Sequence, residues 1–374
     1  MNTDIFPKFL LQKYKSLHAQ AAHPLISGLD HLTSPEVLRL PQSVFDRARE
    51  VIKIIFEASN DPKFLDLVRE QLSVHDRSLL YPTRKQNSIL MAYDFHYSDG
   101  NLKLIEINTN ASGFLISSEL YACHGQENIA ADSKMKLRSS IENEIKLFNV
   151  DSKKVANQNQ NQKVAITDVG IQTQKMYSEF LMYQELFQSW GLDTHLVETA
   201  DLEPQDYNFV YNRSTDFTFS QPQAAKMLMA YNNFETCFSP HPQEYLKLSS
   251  KTNLPILKNV TGLPEILESF AIQSKDPLEL WAQRKKYFFK PANLFGAKAA
   301  YNGASITKTT FQNAIDQNFI AQEFAPPGRF GEWKYDLRFY VYQNEIHLCA
   351  ARLYQGQVTN MSKLGGGLTR ILFK

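Results

Sequence analysis

Leu104-Ile105-Glu106-Ile107-Asn108-Thr109-Asn110, with Asp94 upstream of it, is the stretch on which the reading of this chain turns. Strand alternation puts Glu106 and Asn108 on one face with Leu104 beside them, and turns Ile105 and Ile107 the other way. A carboxylate and an amide carbonyl projecting together from an apolar strand are hard oxygen donors that suit Mg²⁺. The same pattern also describes an ordinary solvated strand face. Upstream, Ser98-Asp99-Gly100-Asn101 carries the Asp-Gly signal of a hairpin, with strands expected over 88–97 and 102–108. For Asp94 to face the same way as Glu106, the two must pair directly. A regular ladder would then need an odd-length loop of about three or five residues rather than a two-residue turn.

At 374 residues the chain suits two or three domains, and a 43% hydrophobic, 12% aromatic composition can bury a sizeable core. Forty basic residues against thirty-nine acidic ones give no global field for nucleic acid. Three widely spaced cysteines, Cys123, Cys237 and Cys349, make neither a disulfide framework nor a zinc motif. They read as reduced, buried thiols and point to a cytoplasmic setting. No apolar run is long enough for a membrane span, and residues 6–14 are too interrupted by polar positions to be a signal core, so a soluble protein without membrane contact is expected.

Residues 1–75 have helical periodicity, clearest over 44–58 and 64–72. A hairpin follows over 86–115, then helix again to Phe148. The polar tract from Val155 to Lys163 reads as a linker or exposed loop. Beyond it the texture becomes strand–helix–strand: strands over 163–167, 194–197 and 207–211 with a helix over 176–190 form an α/β unit of parallel character. Helices are expected over 265–270 and 278–284, and a long strand pair over 337–342 and 346–354.

Three further clusters carry chemistry. In Tyr287-Phe288-Phe289-Lys290-Pro291 a strand delivers Lys290 at its end, ahead of a loop containing Gly296. Such a lysine can contact phosphate oxygens, or it can be a surface lysine. Gln322-Glu323-Phe324-Ala325 runs into Pro326-Pro327, which leaves the ladder; it is either a base-reading segment or an ordinary strand end. Arg338 in Tyr335-Asp336-Leu337-Arg338 and Arg352 in Ala350-Ala351-Arg352 could grip anions bidentately, or form paired surface charges. Asn360 and a glycine run follow. No Ser-His-Asp or Cys-His arrangement is present, and His96 and His124 are assigned structural roles.

The order of these clusters resembles the ATP-grasp superfamily, closest in texture to bacterial glutamate ligases that extend peptide C-termini, and more distantly to glutathione synthetase and D-alanine–D-alanine ligase. In those families the Asp, then Glu-x-Asn, motif comes near the C-terminus. Here Asp94 and Glu106-Ile107-Asn108 come early, so the chain looks circularly permuted, as do relatives of glutathionylspermidine synthase. The resemblance implies an α/β (α+β) ATP-grasp fold. It divides the chain into an N-terminal helical segment (1–85), a permuted metal-binding part (86–150), a linker (151–163), a pre-ATP-grasp α/β domain (164–248), a small subdomain (249–320) and a large subdomain (321–374).

It also implies roles. Asp94, Glu106 and Asn108 match the Mg²⁺ ligands (Mn²⁺ being an alternative). Lys251, Lys290 and Gly296 match the phosphate-binding positions of ATP, and Gln322, Glu323, Phe324 and Ala325 match the hinge that holds adenine. Arg352 and Asn360, with Lys290, match the residues that stabilise the transferred phosphoryl group. Asp168, Asn212, Arg213 and Arg338 are candidates for substrate contact, although Asn212-Arg213 can equally be a loop pair with structural hydrogen bonds only. The implied activity is ATP-dependent ligation of a small-molecule or peptide carboxylate to an amine through an acyl-phosphate. The alternatives are a phosphotransferase on the same fold or a non-catalytic nucleotide-binding protein. The N-terminal helices could cap the site or support a homodimer.

Overall fold

The computed structural model describes residues 5–27, 29–81, 83–152, 162–292, 299–359 and 365–374. Its strands, in chain order, are β1 (Thr33–Leu40), β2 (Met91–Ser98), β3 (Asn101–Asn108), β4 (Lys163–Asp168), β5 (Asp193–Glu198), β6 (Phe209–Asn212), β7 (Cys237–Ser239), β8 (Ser269–Ala271), β9 (Tyr287–Pro291), β10 (Tyr301–Asn302), β11 (Phe319–Glu323), β12 (Gly328–Phe330), β13 (Trp333–Tyr342), β14 (Glu345–Tyr354) and β15 (Gly367–Phe373). They form three sheets. The largest runs β1-β15-β14-β13-β2-β3, with β12 also paired to β13; a second runs β10-β9-β11-β8, and a third, all parallel, β5-β4-β6-β7.

The large sheet joins early and late parts of the chain, because β2 pairs antiparallel with β13 and β1 pairs parallel with β15. Its two faces follow from alternation along β13. Leu337, Phe339 and Val341 point into one core, with Tyr93 and Phe95 of β2 and Ala351 and Leu353 of β14. The helix Gln42–Ser59 buries Val44, Ala48, Val51, Ile52 and Ile55 against that core. Tyr340 and Tyr342 point the other way, into a second core with Phe114, Leu115 and Leu120 of the helix Phe114–Cys123. On this second face the neighbouring positions of β13 are Asp336 and Arg338. One end of the face is thus roofed by a helix, and the other bears charge.

The parallel sheet is apolar on both faces: Ala165, Val210 and Phe238 join one core, while Val164, Ile166, Phe209 and Tyr211 join the other. The small antiparallel sheet keeps its own core, in which Phe289, Phe319 and Ala321 pack on Phe311. That leaves Phe288, Lys290 and Gln322 on its opposite side. Its short helices carry ordinary N-caps: Asp276 accepts from the amides of Leu278 and Glu279, and Thr307 from that of Thr310.

Three expectations are corrected. The N-terminal segment is not wholly helical, because Thr33–Leu40 is a strand. Its sequence lacks clean alternation, and the parallel partnership with β15, irregular between Thr33 and Val37, is what holds it extended. Residues 265–270 are not a helix. The Glu265 carbonyl accepts the Leu104 amide at 2.8 Å, and residues from Ser269 pair with β11. A subdomain boundary at 320 would cut β11, which belongs to the small sheet through its pairing with β8 and β9. Most of the expected linker lies outside the described residues.

Candidate active site

The charged end of the large sheet and the open side of the small sheet enclose a cleft of about 580 Å³. Its walls include Asp94, His96, Glu106 and Asn108 from β2 and β3, Asp336, Arg338 and Arg352 from β13 and β14, Lys290 and Gln322 from the small sheet, and Lys251. Glu323, Phe324 and Ala325 line it as well. Of the residues singled out in the sequence, Gly296 and Asn360 lie outside the described residues.

Asp94 does pair with Glu106, but not through an odd-length loop. The turn has two residues, Asp99 and Gly100, both at positive φ (52° and 77°), and Ser98 pairs with Asn101. Positive φ at both central positions is the type I′ requirement that Asp-Gly meets. The register then shifts between Asp94 and Phe95: Phe95 faces Leu104 while Asp94 faces Glu106, leaving Ile105 as a bulge. The bulge also changes the faces expected from simple alternation. Leu104 joins Ile107 in the core, whereas Ile105 lines the cleft beside Glu106 and Asn108.

The bulge presents the Ile105 carbonyl to the cleft. Lys290 Nζ donates to it at 3.2 Å and to Gln322 Oε1 at 2.7 Å. Burial outweighs the attraction of Glu106 and lowers the Lys290 ammonium to about 8, with Lys251 pushing the same way. Lys251 is itself buried, with Nζ 3.4 Å from Glu106 Oε1. Two lysines and a carboxylate therefore stand together at the junction of the two sheets.

Asp94 is buried and fully engaged. Arg338 donates Nε to Oδ1 at 2.8 Å and Nη2 to Oδ2 at 2.7 Å, Arg352 Nη2 donates to Oδ2 at 3.0 Å, and so does Asn108 Nδ2 at 3.0 Å. Burial pushes the Asp94 carboxyl up, but the two guanidinium groups overcome it and hold the group below the usual carboxylate range. Arg352 also grips Asp336, Nε to Oδ1 at 2.7 Å and Nη2 to Oδ2 at 3.0 Å. Arg338 Nη1 reaches the Ser112 carbonyl at 3.2 Å. These arginines are not surface pairs; they are locked into the floor of the cleft. Among the described residues no group of three or more His, Cys, Asp or Glu side chains is arranged to hold a metal ion.

Asp168, Asn212 and Arg213 are not among the residues that line this cleft. They cluster at the carboxyl ends of β4 and β6. Arg213 is buried and donates to Asn110 Oδ1, to Tyr211 Oη at 2.9 Å and to Ser112 Oγ at 2.8 Å. It thereby organises Asn110-Ala111-Ser112-Gly113, the loop whose Ser112 carbonyl receives Arg338. Gly113, at φ 88°, allows the turn into the following helix, and a Cβ there would sit 2.7 Å from Leu368 Cδ1. Asn212 Oδ1 accepts from the Ser214 amide at 3.0 Å, while its buried Nδ2 has no partner among the described residues. Burial raises the Asp168 carboxyl to about 6.

The site also contains Asp336, given no role of its own from the sequence, which braces Arg352, and His96, expected to be structural, whose Nδ1 lies 2.8 Å from the Ala325 carbonyl. The alternation Asp336-Leu337-Arg338 already put Asp336 on the arginine's face. Strand spacing from Asp94 likewise puts His96 on the acidic face, but nothing in the sequence points to Ala325 as its partner.

A scan against family models finds no match, and neither does a comparison with curated proteins. Among solved structures, the fold is similar to that of a glutathione synthetase-like effector from Globodera pallida, at 11% identity with a TM-score of 0.52, over 90% of this chain and 89% of that one. A gamma-glutamylcysteine synthetase-like protein from Methylobacillus flagellatus KT aligns at 8% identity and a TM-score of 0.48, over 86% and 87% of the two chains. The ATP-grasp ligase PsnB, complexed with minimal precursor, aligns at 12% identity and 0.31, over 51% and 76%. The fold is α/β and ATP-grasp-like. Among the described residues no helix is long and apolar enough to cross a membrane.

Proposed function

We propose that this chain is an ATP-dependent carboxylate–amine ligase that works through an acyl-phosphate, with the acidic hairpin carried at the front of a permuted ATP-grasp order. The reading rests on one observation: β3, the small sheet, the β13–β14 pair and the helical turn Lys251–Asn253 bring Glu106, Lys290, Arg352 and Lys251 into one cleft. The chemical difficulty is to bring a carboxylate to a triphosphate, both anionic. Fixed cations that neutralise phosphate oxygens, in a site that also fixes in-line geometry, lower that barrier.

In this scheme Lys251 and Lys290 bind phosphate oxygens. Arg352, oriented by Asp336 and Asp94, meets the transferred phosphoryl group, and the segment 322–325 with Phe288 receives the base. The substrate carboxylate displaces ADP from the γ-phosphorus. The amine then attacks the acyl carbon, phosphate leaves and the amine gives up a proton.

The donor set fits a divalent cation. Asn108 commits Nδ2 to Asp94, its Oδ1 has no hydrogen-bond partner among the described residues, and Glu106 beside it supplies a carboxylate that lines the cleft. Mg²⁺, or Mn²⁺ in its place, would be held by these two hard oxygens and would neutralise and orient the triphosphate. Asp94, already bonded by four donor atoms, is assigned to hold Asn108 and the two arginines in place rather than to ligate. Asp168, Asn212 and Arg213 remain candidates for the acceptor side, Arg213 through the loop it organises. The buried thiols of Cys237 and Cys349 accord with a cytoplasmic setting.

Calorimetry with Mg-ADP, followed by ADP and phosphate assays with Mg-ATP and a panel of amino acids and dipeptides, tests the reading. Phosphate release that requires both a carboxylate and an amine supports it. A stable phosphorylated product formed without an amine would make the protein a phosphotransferase, and absence of nucleotide binding would overturn the nucleotide reading altogether.

A further inference from the structure

His96 follows Asp94 at strand spacing on β2 and lines the same cleft. Its Nδ1 is 2.8 Å from the Ala325 carbonyl, an atom that can only accept, so Nδ1 carries the proton. Burial lowers the imidazole's pKa and outweighs the attraction of Asp336. A neutral ring protonated on Nδ1 has a lone pair on Nε2. Among the described residues Nε2 has no hydrogen-bond partner, although His96 is part of the cleft wall.

The segment 322–325 has few polar groups left with which to read a nucleoside. The Glu323 amide donates to the Glu268 carbonyl at 2.7 Å and the Phe324 amide to the Lys286 carbonyl at 2.8 Å. The Ala325 carbonyl is held by His96 itself. Gln322 spends its side chain on Lys290 and Ile105. Pro326 and Pro327 have no N–H to offer. Side chains that line the cleft can add to what the backbone of this segment and the Glu323 carboxylate offer, and His96 Nε2 is one such acceptor, on the ring that holds Ala325.

We propose that His96 selects the nucleoside: while Nδ1–H fixes the Ala325 carbonyl, Nε2 accepts a hydrogen bond from a donor on the bound nucleoside, either an exocyclic amine or a ribose hydroxyl. The inference rests on the nucleotide reading of the cleft. His96 touches no reacting atom in this scheme; it sets which nucleoside the cleft prefers.

The test is calorimetry with Mg-ADP, Mg-IDP (no exocyclic amine) and Mg-2′-deoxyADP (no 2′-hydroxyl) on the wild type and on His96→Asn. Asparagine reproduces the donor at Nδ1 but places nothing at Nε2. Wild type is expected to prefer ADP over one of the two analogues by about threefold to tenfold, the worth of one net hydrogen bond. His96→Asn should erase that preference while binding the disfavoured analogue as wild type does, and the analogue affected identifies the donor. A wild type without preference, a preference that persists in the variant, or an equal loss for all three ligands would each overturn the proposal. Should His96→Asn fail to fold, His96→Gln, which carries an oxygen acceptor to a similar depth, must retain the preference; its loss there also counts against the proposal. Failure of wild type to bind any of the three refutes instead the nucleotide reading beneath it.

Discussion

Replacing Gln322 with leucine probes the lysine on which phosphate binding is proposed to depend. The Lys290 ammonium is buried and has two oxygen partners, Gln322 Oε1 at 2.7 Å and the bulge carbonyl of Ile105 at 3.2 Å. A hydrogen bond to a charged group is worth about 1.5–3 kcal/mol. A neutral amine donates more weakly, so most of that energy favours the protonated form. At about 1.4 kcal/mol per pK unit, Gln322→Leu should lower the lysine by roughly one to two units. Starting from about 8, it would then titrate between roughly 6 and 7. At a pH of about 7.5 the wild-type lysine is roughly three-quarters charged, and in the variant that falls to roughly a quarter or less.

The assay is the Mg-ADP dissociation constant across the range from about pH 6 to 9. Only the ammonium attracts phosphate, so wild-type affinity should weaken as pH rises through about 8, and the variant's should weaken at correspondingly lower pH. The sign for stability runs the other way. A lysine whose folded value lies below its unfolded one is penalised while charged, so stability rises as pH climbs from about 8 toward the ordinary lysine value. A variant whose affinity midpoint stays within about half a unit of wild type would refute this account of Lys290, as would a Lys290→Met variant that binds Mg-ADP normally.

Glu106→Ala should cost roughly 2–4 kcal/mol of transition-state stabilisation, or about two to three orders of magnitude in turnover. The fold should be kept, because Glu106 faces the cleft, but thermal stability should fall modestly as the buried Lys251 loses its ion-pair partner. Deleting Ile105 should leave Asp94 opposite Glu106 in a regular two-residue hairpin, so the fold is kept; the Mg-ADP titration should nevertheless move to lower pH, because Lys290 loses its second acceptor. Arg338→Met strips the bidentate partner from a buried carboxylate and should destabilise the chain by about 3–5 kcal/mol in denaturant unfolding. In wild type, Asp94's lowered pKa contributes stability that is present at neutral pH and lost as pH falls through the folded value. In Arg338→Met that loss on acidification should begin at higher pH.

Alternation made one half of the cleft legible. In Tyr335-Asp336-Leu337-Arg338-Phe339-Tyr340-Val341-Tyr342 the period of two separates the odd-numbered residues, which enter one core, from the even-numbered ones, which run from the charged cleft (Asp336, Arg338) into the second core (Tyr340, Tyr342). The same holds for Phe288-Phe289-Lys290, where Phe289 enters the small core and its neighbours face the cleft. Long helices such as Gln42–Ser59 were readable for the equivalent reason at the helical period. Strand β1 was not, because its extended form depends on a partner at the far end of the chain. Nor was the role of His96, since hydrogen bonding to Ala325 joins residues with no local pattern between them.

The hairpin shows where pattern reading fails and what it costs. Two requirements competed: Asp99-Gly100 favours a two-residue turn, and a shared face for Asp94 and Glu106 demands an extra residue somewhere in the loop or the ladder. A regular ladder requires that residue in the loop. The chain puts it in the strand, at Ile105, and this changes more than the register. An extra loop residue would have left the ladder regular and kept every β3 carbonyl in its ordinary direction. A bulge instead takes one residue out of the pairing, and at this position the Ile105 carbonyl meets Lys290 Nζ. The device that aligns the two acidic side chains therefore also gives the buried lysine an acceptor, and joins β3 of the large sheet to β9 of the small one. Deleting Ile105 must therefore disturb the lysine while sparing the carboxylates. A loop insertion after Gly100 must leave both undisturbed.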